Sequence, residues 1–191
     1  MNLYDAFMSP FEKRHLSLLR KDIIPMAQGD VLEIGAGTGV NFPFYDEAKI
    51  KSLSVLDLEV NTIAMQRASE KTIFIQSDDS NLPFDDDSFD TVVETLVLCS
   101  VEDVQKMMRE IKRILKPGGI FLHIDHGLPK SSALKMLFHL IAPLWHSITR
   151  SCRINKDHKP VIESSGLKTL KGGSRGKGVF YWGVSKKENC F

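Results

Sequence analysis

A chain of 191 residues, 42% hydrophobic and 26% charged, has the size and balance of one globular domain, which excludes a disordered, collagen-like or membrane-embedded chain. Its formal net charge of +1 gives no broad field to attract a phosphate backbone, so no nucleic-acid partner is expected. Cys99, Cys152 and Cys190 are an odd number without CxxC spacing, so the sequence offers neither a disulfide framework nor a metal site, and a reducing compartment is the simpler setting.

Asp5, Glu12, Lys13 and Arg14 give the start of the chain none of the features of a signal peptide, and no apolar run approaches the roughly 20 residues that span a bilayer. A cytoplasmic protein without a transmembrane segment is expected. From Asp5 to Ile24 the residues Phe7, Phe11, Leu16, Leu18, Leu19 and Ile23 fall on a helical stripe that Pro25 ends. Val31 to Ile34 is a short apolar strand running into Gly35-Ala36-Gly37-Thr38-Gly39, with a helix expected from about Val40. A second strand, Leu53 to Leu56, ends at Asp57, and a helix is expected up to Lys71. Thr72 to Gln76 is a third strand and Phe89 to Leu98 a fourth.

An amphipathic helix follows from about Val101 to Leu115, with Val104, Met107, Met108, Ile111, Ile114 and Leu115 inward, and Lys116-Pro117-Gly118-Gly119 as its stop. Ile120 to Ile124 is a fifth strand. A helical region from about Ser132 to Arg150 is interrupted at Pro143, and its apolar density exceeds what one buried face requires. A lid packed on the sheet is one account of it, and a partly exposed apolar wall for a lipophilic acceptor, in reach of a membrane surface, is the other. Lys159 to Ser165 forms a short helix, Leu167 to Leu170 a strand and Val179 to Val184 a last strand, after a turn rich in Gly, Lys and Arg. Strands alternating with helices predict a mostly parallel α/β sheet with helices on both faces. In such sheets ligands bind beyond the carboxyl ends of the strands.

Glu33 to Gly39 places an acidic residue and three alternating glycines at the end of the first strand. Glycines permit positive φ and close approach of a ligand, although a structural tight turn would also use them. The spacing differs from the dinucleotide GxGxxG. Asp57, about 20 residues beyond the loop, stands where Rossmann-like folds hold ribose hydroxyls; a helix N-cap is its alternative reading, and Glu59 is a second choice for the role.

These segments resemble the class I S-adenosylmethionine-dependent methyltransferases, in the group that includes ubiquinone and menaquinone biosynthesis methyltransferases. Ser77-Asp78-Asp79-Ser80-Asn81-Leu82-Pro83-Phe84 is similar to that family's adenine segment. Asp85 to Val92 resembles its D-x-S-F-D-x-V continuation, and Arg109 to Gly119 its R-E-x-x-R-x-L-K-P-G-G helix end. The resemblance covers about residues 2 to 126. It implies one Rossmann-like domain over 1–191, with a seven-stranded sheet whose last strand is antiparallel, residues 1–25 as a helix over the cofactor and 132–150 as a substrate-side lid. It implies S-adenosylmethionine as methyl donor and S-adenosylhomocysteine as product. Gly35, Ala36 and Gly37 would line methionine and ribose, Asp57 would hold the ribose hydroxyls, and Asp78 and Asp79 would meet the adenine. Thr95 and Leu96 would face the methionine end and Tyr4 would close over the cofactor, with Glu33, Gly39 and Leu58 completing the set.

Thr95 to Val101, Asp125-His126 and Pro143 to His146 are similar to the alkyl thiol methyltransferases of animals and their bacterial relatives. The animal members' hydrophobic N-terminal anchor is not matched here, so membrane residence is not carried over. The acceptor implied is a small lipophilic thiol, quinone-type phenol or phospholipid amine, with peripheral membrane contact left open. Asp125 and His126 follow the fifth strand on the acceptor's side, and His126 is favoured as a base because an imidazole titrates near neutrality. Protein or RNA methylation and non-catalytic cofactor binding are the competing functions. Lys168, Lys171, Arg175 and Lys177 read as a solvated basic hairpin.

Overall fold

The structure is a computed structural model that describes residues 15–77, 81–149, 152–176 and 178–189. Tyr4, Asp5, Phe7, Phe11, Asp78 and Asp79 lie outside the described residues, as do Arg150 and Lys177. Helix α1 (Ser17–Ile23) leads through one 3-10 turn into strand β1 (Gly29–Ile34), followed by β2 (Ile50–Asp57), α2 (Thr62–Arg67) and β3 (Thr72–Gln76). Then come β4 (Phe89–Thr95), α3 (Val104–Ile114), β5 (Leu115–His126), α4 (Ser132–Thr149), α5 (Lys159–Glu163), β6 (Lys168–Arg175) and β7 (Phe180–Lys186).

The strands form one seven-stranded sheet in the order β3-β2-β1-β4-β5-β7-β6. The first five are parallel, and β7 runs antiparallel between β5 and β6. The order reverses between β1 and β4, so the switch-point crevice opens beyond Ile34 and Thr95. Successive residues point to opposite faces and feed two apolar cores. Val31, Val93 and Leu122 join the α1 side, with Leu16, Leu19 and Ile23; Leu32, Val92 and Phe121 join the α3 side, with Met107, Met108 and Ile111. All six residues expected inward in the amphipathic helix are buried.

Several elements differ from the sequence reading. The helix expected from Val40 is a turn and a single 3-10 turn, Phe42–Phe44, because Pro43 inside the segment withholds a backbone donor. Helix α2 stops at Arg67, since Ala68 is already extended; Asn61 caps its start by accepting from the Ile63 N–H at 2.9 Å. Strand β4 ends at Thr95 because Leu96 takes the left-handed backbone, φ 59°. Helix α3 begins at Val104 behind an Asp103 cap, whose carboxylate accepts from the Lys106 N–H.

Lys116 to Gly119 do not merely stop α3: strand β5 begins at Leu115, with Gly118 at φ 82°, and runs twelve residues. Asp125 and His126 are therefore its last two residues rather than a loop beyond it. Pro143 does not interrupt α4, which is continuous. The helix is largely exposed, so solvent is available to the carbonyl four residues before the proline, which lacks its usual donor. The expectation of close packing on the sheet fails for α4, where Met136, Leu140 and Leu144 are 73%, 78% and 66% exposed and only Ala142 is buried. Gly172 and Gly173 lie inside β6 instead of a turn, and the lysines of this exposed edge strand discourage pairing with another sheet.

Candidate active site

The glycine loop sits on the carboxyl ends of β1 and β2. Its Gly35 N–H donates to the Leu56 carbonyl at 2.8 Å and its Gly37 N–H to Asp57 Oδ2 at 3.0 Å, so the loop and the second strand end are one piece. All three glycines have positive φ, and a side chain at each would meet different surroundings. A Cβ on Gly35 would collide with Val97, and one on Gly39 with the Phe42 ring and the Ala64 backbone. A Cβ on Gly37 would meet nothing within 4 Å, so this turn borders open space that a ligand can enter. Arg67 fastens the loop from α2 by donating to the Thr38 carbonyl at 2.9 Å. Leu58, next to Asp57, is 64% exposed on the same rim.

Glu33 faces inward rather than onto that space. Both its oxygens are engaged beneath the loop: Oε1 accepts from Asn41 Nδ2 at 2.9 Å and Oε2 from the Tyr45 hydroxyl at 2.7 Å. Asn41 also donates to Thr95 Oγ1 at 3.0 Å and accepts from Arg20 Nε at 2.7 Å. Burial pushes the Glu33 carboxyl up to about 7. This network joins α1, the glycine loop and the end of β4. Sequence reading found Glu33 and Thr95 but missed Arg20, Asn41 and Tyr45; a polar residue two positions past the last loop glycine was the only hint of Asn41.

Across the crevice, Leu96 is held by its N–H on the Ile124 carbonyl at 2.8 Å, with its left-handed backbone turning the chain away from the sheet. Glu94 is buried below, and its Oε1 accepts from the Val97 and Leu98 N–H groups. Burial pushes its carboxyl up to about 7 as well. Asp125, completely buried, accepts from the His126 N–H at 2.7 Å; burial and then the charge of Glu94 raise its carboxyl far above the usual range. His126 Nε2 lies 3.3 Å from Cys152 Sγ, a neighbour that no sequence spacing signalled. The sulfurs of Cys99 and Cys152 lie within 4.8 Å, and their proximity lowers the Cys152 thiol and, with burial, pushes the Cys99 thiol up.

The R-E-x-x-R segment also acquires a physical account. Arg113 donates to the Leu82 and Phe84 carbonyls at 3.1 and 2.7 Å, and to Asp86 and Glu110, while Glu110 accepts from the Leu82 N–H. Helix α3 thereby fixes the segment that follows the two acidic residues of the adenine motif.

This crevice, on a sheet of this order, defines a Rossmann-like methyltransferase. Residues 32–123 match the family described as "Methyltransferase domain", and the chain is an S-adenosylmethionine-dependent methyltransferase of class I, with S-adenosylmethionine as methyl donor. The chain is 29% identical over 178 residues to the thiol S-methyltransferase TMT1A of Homo sapiens, covering 88% of this chain and 72% of that protein. It is 28% identical over 117 residues to the ubiquinone/menaquinone biosynthesis C-methyltransferase UbiE of Idiomarina loihiensis, covering 56% and 47%. An S-adenosylmethionine-dependent methyltransferase from Mesorhizobium loti shares the fold, with a TM-score of 0.71 at 16% identity over 89% of this chain and 96% of that one. Among the described residues, no helix is long and apolar enough to cross a membrane.

Proposed function

We propose that this enzyme methylates the sulfur of a small lipophilic thiol. The donor half of this reading is carried by the Gly37 turn: a backbone N–H tied to Asp57, φ 54°, and open space where a side chain would stand. Asp57 Oδ2 is occupied by that N–H, which leaves Oδ1 to accept from ribose hydroxyls. Gly35 and Ala36 line the entry to the crevice, and Thr95 and Leu96 form its far wall; Glu33 positions the loop through Asn41 rather than touching the donor. Tyr4, Asp78 and Asp79 keep the roles that family resemblance gives them.

The donor supplies a methyl group already activated on a sulfonium. What remains for the protein is alignment and exclusion of water, and a fixed in-line geometry is worth about 7–11 kcal/mol of barrier. A thiol also has to lose its proton. Cys99 Sγ contacts the Leu96 carbonyl, burial disfavours the charged form of Asp125 and so its service as a base, and His126 and the two cysteines remain. The exposed apolar side chains of α4 supply lipophilic surface beside this cluster, since the Cys152 N–H donates to Oγ1 of Thr149, the last residue of that helix, at 3.2 Å. A thiol is preferred over a phenol or an amine because the relative TMT1A acts on thiols.

Calorimetric titration with S-adenosylmethionine and S-adenosylhomocysteine, with NADH as control, tests the donor site. The expected outcome is stoichiometric binding of the two adenosyl ligands alone. Turnover with an alkanethiol, a quinol and an amine, read as methylated product, then tests the acceptor; methylation of quinol or amine but not of thiol would overturn the sulfur assignment.

A further inference from the structure

Beyond the donor crevice, three soft side chains from three separate elements converge. Cys99 comes from the turn after β4, His126 from the last position of β5 and Cys152 from the segment after α4. All three are buried, and one donor atom of each lies within 4.8 Å of the other two. A buried cysteine is ordinarily a small apolar side chain, but that accounts for neither the second cysteine nor the imidazole facing it. Asp125, beside His126, and Glu94 each keep one carboxyl oxygen, Oδ2 and Oε2, buried without a hydrogen bond.

The geometry suits a cation. With Zn–S about 2.3 Å and Zn–N about 2.0–2.1 Å, the edges of a zinc tetrahedron are about 3.5–3.8 Å. His126 Nε2 and Cys152 Sγ, at 3.3 Å, come within a few tenths of an ångström of such an edge, and Cys99 Sγ lies within 4.8 Å of both. Two thiolates and an imidazole select a soft or borderline ion over calcium or magnesium. Three protein ligands leave a fourth position open, the arrangement of catalytic rather than structural zinc sites. Cys99 Sγ lies 3.5 Å from the Leu96 carbonyl, which places the cluster against the wall assigned to the methionine end of the donor.

We propose that Cys99, His126 and Cys152 bind Zn2+ and that the acceptor thiol takes the fourth position. This rests on the thiol methyltransferase reading and deepens it. The incoming thiol releases its proton to solvent on coordination, because the cation stabilises the thiolate. A lone pair of that sulfur forms the new S–CH3 bond while the methyl–sulfonium bond breaks. Its electron pair stays on the departing sulfur, giving neutral S-adenosylhomocysteine, and the zinc keeps its oxidation state. The thioether, without charge, is a poorer ligand and leaves. His126 then serves deprotonation through the metal instead of taking the proton itself.

The test uses the full chain, reduced, stripped with a chelator and titrated with Co2+. One equivalent should give thiolate-to-cobalt charge-transfer absorption and the intense visible bands of tetrahedral cobalt, which Zn2+ abolishes and an alkanethiol shifts. Cys99→Ser, Cys152→Ser and His126→Ala should each weaken metal binding at least tenfold while S-adenosylhomocysteine, followed by calorimetry, still binds. Wild-type protein that binds S-adenosylhomocysteine but gives no tetrahedral cobalt spectrum overturns the metal site and leaves the methyltransferase intact. So does thiol methylation that persists unchanged in chelator. Failure of S-adenosylhomocysteine to bind the wild type would instead bring down the donor reading on which the proposal stands.

Discussion

Asp57 holds the loop that it also helps to shape, so its removal costs a loop contact and a ligand contact together. Hydrogen bonds to a charged group are worth about 1.5–3 kcal/mol, and Asp57→Ala should weaken S-adenosylhomocysteine binding roughly tenfold or more in calorimetry, with the fold retained. Glu33 should reveal itself through pH. Its carboxyl ionises near 4.5 in the unfolded chain and near 7 in the folded one, because burial disfavours the charge. The unfolded state therefore gives up its proton first, and this group removes stability as pH rises from 4.5 to 7, with no further change beyond. A shift of that size corresponds to about 3 kcal/mol. Urea denaturation at pH 5 and pH 8 should show the wild type losing stability relative to Glu33→Gln by an amount of that order; parallel behaviour of the two proteins would mean that Glu33 is not buried as charged or neutral in the way the network requires. Glycine loop and Asp57 were legible because their signal is local, glycines at a strand end and an acid at the next. Arg20, Asn41, Tyr45 and the Cys99–His126–Cys152 cluster were not, because tertiary contact alone brings them together and no spacing along the chain encodes it.

At the level of elements, α3 does two jobs that its sequence announces separately. Its apolar stripe is buried, and Ile111→Ala should cost about 2–5 kcal/mol in urea unfolding. Its polar edge carries Arg113, whose loss should free residues 81–88. Arg113→Ala is expected to raise amide hydrogen exchange there and to weaken S-adenosylhomocysteine severalfold, with exchange in β1 unchanged. Helix α4 is the contrast. Leu140, 78% exposed, should tolerate alanine within about 0.5 kcal/mol although its surroundings are as apolar in sequence as those of Ile111. Hydrophobic density distinguishes neither case; periodicity does, since α3 alternates apolar and charged faces while α4 is apolar nearly all round. The element boundaries that sequence misplaced, at Val40, Leu96, Leu115 and Pro143, turn on backbone conformation. A left-handed leucine and a glycine pair absorbed into a strand leave no trace in hydrophobic pattern.

The whole molecule is organised by the parallel strands, whose order follows from right-handed crossovers once strands and helices alternate. Placement of β7 between β5 and β6 does not follow from such local rules; family resemblance supplied the antiparallel last strand, and the sheet register shows how it fits. That register has a thermodynamic consequence. Each of β1, β4 and β5 contributes neighbouring residues to both apolar cores, so neither core can come apart while the other persists. We propose on this ground that the chain unfolds as one domain. Trp182, on β7, and the helices on either face should then report a single event. In a Trp145→Phe variant, in which Trp182 alone fluoresces, the urea transition by fluorescence should coincide with that by far-ultraviolet circular dichroism. A fluorescence midpoint displaced from the dichroism midpoint would mean that the β5–β7–β6 side melts independently, and the single-domain reading would give way to two cooperative units divided at β5.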